Sequence, residues 1–251
     1  MLSSIFMEKA RRWNLKNVGA QLAVFMRSGA EMRRNMRVVY TNELNHINDQ
    51  IQEMGSKLIE AVEKTRNVLK TLDVQGAKEL MDGDELFDKM DRDIESQCLD
   101  IVVTQAPVAC DWRRIASVMR MVADLERIAD HCSDIAEYVL RLAELPKVEI
   151  PDYFGKMFDV MTKMLRDTVE AFVDMDNEKA NQAADQDDLQ DDYFEKTVLE
   201  LTVRMEKQPK EIAQYVDYLM IAKYLERMAD HTTNLAEWIA YMVKGELKTY
   251  Q

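Results

Sequence analysis

Leu125-Glu126-Arg127-Ile128-Ala129-Asp130-His131 returns as Leu225-Glu226-Arg227-Met228-Ala229-Asp230-His231, one hundred residues later and without a gap. The copies run on in parallel through Asp134-Ile135-Ala136-Glu137 and Asn234-Leu235-Ala236-Glu237, so the likeness lasts about four helical turns. One unit has been used twice. Within it the acids stand at helical spacing: Glu126 and Asp130 are i,i+4 neighbours, and Asp134 follows one turn later. Like charges so placed cost a helix roughly 0.2–0.5 kcal/mol per pair, so a doubled stack of them needs compensation, which a bound cation would supply. The plainer reading is a solvated face, since the row lies about 150° round the helix from the apolar side of Leu125, Ile128, Cys132 and Ile135.

Working outward, the duplication reaches well beyond this segment. Asp73, Ala77, Asp82, Asp84 and Asp88 match Asp176, Ala180, Asp185, Asp187 and Asp191 at a constant offset of 103, and Pro107 matches Pro209 at 102. Helical apolar spacing through Leu44, Ile47, Ile51, Met54, Leu58, Val62, Thr65 and Leu69 predicts a first helix over 38–72. Asp73 is suited to cap a second over about 74–103, and the Gln105-Ala106-Pro107 step should end it, because proline disfavours helical geometry in the residue before it. A third helix is expected from Pro107 to about Glu144. The two-proline stretch Leu145-Pro146-Lys147-Val148-Glu149-Ile150-Pro151 reads as a linker. The second half repeats the scheme, with helices expected over 152–173 and 177–207, a break at Pro209, and a last helix closed by Gly245. The fold class that follows is all-α: two similar three-helix bundles in tandem, over 38–145 and 150–245, after a basic extension over 1–37.

Composition agrees and excludes several functions. Seven Gly and four Pro in 251 residues leave long uninterrupted stretches, and 18 Met suit the core of helix packing. The formal charge is −13, yet residues 1–37 hold eight Lys/Arg against two acids, so the other 214 residues carry −19. Such a body does not bind nucleic acid, which needs a basic footprint; cations or basic protein surfaces suit it. Cys98, Cys110 and Cys132 share no pairing motif and fit a reducing cytoplasm. No apolar stretch is long enough to span a bilayer. The basic opening superficially resembles a targeting segment but lacks its apolar core.

The chemistry lies where the acid rows meet. Asp88 stands 19 residues before Pro107 and Glu126 19 residues after it; around Pro209 the distances to Asp191 and Glu226 are 18 and 17. In an antiparallel helix pair both rows therefore sit at one height, roughly 28 Å from the turn. Asp84, Asp88, Glu126 and Asp130 should gather in one place, and Asp187, Asp191, Glu226 and Asp230 in another. Four converging carboxylates require cations or protons, and an all-oxygen set suits hard ions such as Mg2+, Mn2+ and iron, with Zn2+ also admitted. His131 and His231, about 140° round the helix from the motif Glu, are expected to face solvent or a helix end rather than a metal. A di-iron enzyme would present Glu-x-x-His twice, whereas Glu43-Leu44-Asn45-His46 has no counterpart. No phosphate loop or nucleophile–base set stands out, so the chain reads as a non-enzyme. Two rival readings are a carboxylate-bridged metalloenzyme and a helical scaffold whose acids are solvated surface.

With the doubled Leu-Glu-Arg-x-Ala-Asp-His, the Asp-x-x-x-Asp on each preceding helix, and Gln105-Ala106-Pro107-Val108-Ala109-Cys110-Asp111-Trp112-Arg113 at the first turn, the chain closely resembles the PhoU family over about residues 38–245. These are accessory and regulatory proteins of bacterial phosphate-specific transport. The resemblance implies tandem three-helix bundles carrying metal clusters, iron among them, on Glu/Asp-x-x-x-Asp motifs. It carries the metal sites onto Asp84, Asp88, Glu126, Asp130 and Asp134 in the first half, and Asp187, Asp191, Glu226, Asp230 and Asn234 in the second. It further implies a cytoplasmic negative regulator whose partners are the ATPase subunit of a phosphate ABC transporter and a phosphate sensor histidine kinase. Membrane association would come only through those partners; a homodimer, and service to a different phosphate transporter, stay open. Asp134 stands where the family usually has Asn, and Trp112 where it usually has Leu.

Overall fold

The structure, a computed structural model, describes residues 38–105 and 107–245. The basic extension over 1–37 lies outside the described residues. Helix α1 spans 38–71 and stops where Leu72 turns left-handed, at φ 52°. The Asp73 carboxylate then accepts the Gln75 amide at 3.1 Å, closing the exposed amino end of α2, Val74–Gln105. The second half repeats this device. Helix α4, Phe154–Asp174, ends at left-handed Met175, φ 53°, and Asp176 accepts the Glu178 and Lys179 amides at 2.9 and 3.1 Å to cap α5, Asn177–Ala184.

Helix α3, Ala109–Ala143, follows the proline turn. In the second half α6, Asp187–Lys207, leads through a 3-10 turn at Pro209–Glu211 into α7, Ile212–Lys244, which Gly245 closes at φ 79°. The single helix expected over 177–207 is in fact two. At Asp185 and Gln186 the chain tightens, with the Gln186 amide bonding the Ala183 carbonyl at 3.2 Å, and α6 restarts with Asp187 and Asp188 in its first turn. Aspartate competes with its own backbone inside a helix but is favoured at an amino terminus, so an acidic run both weakens the helix and suits a new start.

From Ile47 onward the chain forms one compact unit. Helix α3 lies against α2 on one side and α7 on the other, and α7 also covers α4, α5 and α6. The two halves therefore meet along their motif helices. They meet again where α1 touches α4: Arg66 pairs with Asp159 at 2.6 Å, Arg166 with Glu63 at 3.2 Å, and Gly55 faces Val169. Methionines 54, 121, 157, 161, 164 and 228 are all buried, filling the seams between helices as flexible side chains do. The linker is fastened to the second half, Gln214 donating to the Pro146 carbonyl at 3.2 Å and Arg204 to that of Glu149 at 2.6 Å. A Cβ on Gly55 would stand 2.6 Å from a Val169 methyl. Gly55→Leu should consequently cost about 1–3 kcal/mol through overpacking, read as a lowered thermal midpoint; an unchanged midpoint would show that α1 and α4 separate freely.

Candidate metal centres

Helices α2 and α3 run antiparallel from the proline turn, and the matched spacing puts their acids side by side. Asp88, Glu126 and Asp130 each offer a carboxylate oxygen within 4.8 Å of the others, the only such trio of His, Cys, Asp or Glu among the described residues. Asp84 belongs to the same field. Burial, then the charges of Asp130, Asp88 and Asp134, raise its pKa to about 6. Burial first, and then Asp130, raise Glu126 to about 7, against the opposing pull of Arg127. Protons cling to these groups because carboxylates crowded in a part-buried seam cannot all ionise cheaply. Arg127 reaches in from the solvent side, at 3.4 Å from Glu126 and 2.6 Å from Asp130.

The second cluster is built by α6 and α7. Burial, followed by Asp230 and Asp191, raises Asp187 to about 6. Burial followed by Glu226 raises both Asp191 and Asp230. Lys223 lies 2.5 Å from Glu226. The Asp187 Oδ1 atom is buried with no hydrogen-bond partner among the described residues. Thr233 stands beside the same carboxylate, and an all-oxygen set of this kind is of the chemistry that a hard metal ion takes.

Two expected ligands have other engagements. Asp134 lies 3.0 Å from His131 Nδ1 while still acting on Asp84 by charge. The Asn234 amide donates to Asp124 at 3.3 Å, across the seam between the motif helices. There the histidines also depart from expectation: His131 is 5% exposed, its ring centroid 5.7 Å from that of His231, and His231 Nδ1 is 2.8 Å from Asp124. Burial holds the His131 pKa down. An angle measured round one isolated helix gave these residues a free face, but the partner half covers it.

Sequence reasoning also passed over Asp91. It stands one turn beyond Asp88, its Oδ1 is buried without a partner among the described residues, and it raises Glu126 by charge. The i, i+4, i+7 row Asp84-Asp88-Asp91 was there to be read, but Phe194 fills the matching place in the second half and hid it from a comparison of repeats. Trp112, in the first turn of α3, is 48% exposed.

Comparison with known proteins agrees with the duplicated architecture. The PhoU domain model matches residues 51–139 and again 154–239. A phosphate-specific transport system accessory protein PhoU homolog from Clostridium acetobutylicum is 28% identical over 211 residues, covering 84% of this chain and 96% of that protein. The homolog from Aquifex aeolicus is 30% identical over 209 residues, covering 83% and 95%. Among solved structures, the phosphate transport system regulatory protein PhoU from Streptococcus pneumoniae superposes with a TM-score of 0.79 at 28% identity, over 84% of this chain and all of that one. PhoU from Pseudomonas aeruginosa gives 0.78, also at 28% identity. Two copies of one helical unit, joined along their motif helices and each bearing an acid cluster, thus place this chain in the PhoU family.

Proposed function

We propose that this protein is a metal-binding regulatory adaptor of phosphate uptake, acting at the cytoplasmic face as a negative regulator of the phosphate-starvation response. The relatives it matches are accessory and regulatory proteins of phosphate transport. The observation that carries the metal-binding part is the trio Asp88, Glu126 and Asp130, gathered within 4.8 Å by two helices. Bound metal would neutralise these carboxylates and pin α2 to α3, and α6 to α7, as structural ions do. The acids would hold the ion; Arg92, Arg127 and Lys223 balance part of their charge at the rim. None of the described helices is long and apolar enough to cross a membrane, so contact with a transporter would be made through protein surfaces. The partners proposed are the ATPase subunit of a phosphate ABC transporter and a sensor histidine kinase, and an acidic body would approach their basic surfaces with electrostatic help.

Deletion in the source bacterium is expected to switch on phosphate-starvation genes while phosphate is plentiful, measured as reporter expression. A regulon that stays silent in phosphate-replete deletion cells would sink the regulatory reading. Elemental analysis of natively purified protein checks the metal reading separately; stoichiometric metal supports it, and metal-free protein that also fails to take up Mn2+ or Fe2+ removes it.

A further inference from the structure

The motif histidine of each repeat comes to rest beside its own counterpart. Helices α3 and α7 lie along one another, and the His131 and His231 rings stand with their centroids 5.7 Å apart. Each ring is fastened at Nδ1 by a carboxylate: His131 Nδ1 is 3.0 Å from Asp134 Oδ2, and His231 Nδ1 is 2.8 Å from Asp124 Oδ1. A carboxylate accepts, so Nδ1 donates, and Nε2 of the neutral ring keeps an open lone pair. On His131 that lone pair is enclosed. The side chain is buried, Tyr224 covers it with ring centroids 5.3 Å apart, and Nε2 has no hydrogen-bond partner among the described residues. Buried polar atoms in native interiors are nearly always engaged, so an oriented, orphaned imidazole nitrogen facing a second imidazole points to a ligand.

We infer that His131 and His231 together hold a borderline divalent cation, Zn2+ above all, through their Nε2 atoms across the seam between the two halves, with water completing the coordination. This site is separate from the acid clusters and goes beyond the function proposed above: imidazole nitrogen suits Zn2+, whereas all-carboxylate sets suit harder ions. An imidazole bound at about 2.0–2.1 Å puts its ring centre roughly 3.2 Å from the ion, so two rings sharing one tetrahedral ion stand about 5 Å apart, against 5.7 Å between these two. A small side-chain adjustment closes that difference. The carboxylate on each Nδ1 is the arrangement that orients metal-binding histidines and makes them better donors. Asp124 and Asp134 also bring two negative charges to balance those of the ion, against Arg227, whose charge acts on His131 as well. The His231 side chain is 21% exposed, which gives the ion and its waters a way in. With two protein ligands rather than three or four, the ion would be readily exchanged. Each half supplies one ligand, so neither could hold it alone.

The test titrates the full-length chain, stripped by chelation and carrying isotopically labelled histidine, with Zn2+ and follows the imidazole nitrogens by nuclear magnetic resonance. The chain has 3 histidines, and the remaining one, His46, is exposed on α1. The Nε2 signals of His131 and His231 should move together, by the large change that direct coordination produces, while those of His46 stay. His131→Gln should leave the His231 signal unmoved at the Zn2+ concentration that saturates wild type, because a shared ion needs both rings. Asp124→Asn, which keeps the shape of the carboxylate, should weaken Zn2+ at this pair about 10–100-fold. Signals of His131 and His231 that stay in place under excess Zn2+ overturn the inference, whether or not zinc is taken up elsewhere, and so does movement of one without the other. A His231 signal that still moves in His131→Gln of wild-type circular dichroism overturns it too. Mn2+ uptake measured on the same His131→Gln chain tests the acid clusters by themselves, so their failure and that of the histidine site are read apart.

Discussion

Freed of metal, the protein should melt at a lower temperature at pH 8 than at pH 5. Glu126, raised to about 7, and Asp84 and Asp187, each raised to about 6, hold protons in the folded state that they release in the unfolded chain. Folded protein thus binds more protons than unfolded protein between about pH 4 and 7, so stability falls as pH rises through that window. For these acids the stabilisation belongs to the protonated side and is lost above the folded pKa values. Its size is on the order of a few kcal/mol for the three groups together. The usual paired carboxylate behaves oppositely, gaining stability as it ionises. Restoring Mn2+ or Fe2+ at pH 8 should recover the loss, since metal replaces the missing protons. Thermal melts of chelated and reloaded protein from pH 5 to 8 check this; a midpoint that rises with pH in the metal-free protein would show that the clusters are not strained.

Asp130→Asn should have opposite effects in the two states. In metal-free protein it removes a charge that raises both Asp84 and Glu126, and stability at pH 8 should increase by about 1 kcal/mol despite loss of the exposed Arg127 pair, which is worth little. In the presence of metal the order reverses. Wild type gains about 2.7 kcal/mol per site at ligand a hundredfold above its dissociation constant, whereas the variant loses the first site and that gain. Asp230→Asn should do the same to the second cluster and leave the first loaded. Metal content measured per molecule separates the cases, and unchanged content in both variants would refute the assignment of these carboxylates.

Most of this architecture could be read from the chain alone. The doubled motif, the offset of 103 that pairs Asp73 with Asp176, and the two proline turns place the cap after the first helix and the start of the motif helix in each half, because caps and breakers act locally. The heights of the acid rows followed from counting residues either side of Pro107, since helical rise is constant, and Asp88, Glu126 and Asp130 do meet. Local rules failed where two elements compete or touch. The break at Asp185-Gln186 arises inside a run that periodicity alone reads as continuous. The burial of His131 against His231, and the turning of Asn234 towards Asp124, depend on α3 lying along α7. Sequence spacing describes one helix at a time, so it determined which residues share a stripe; which stripe is covered, and by what, only the packing of one repeat on the other decided.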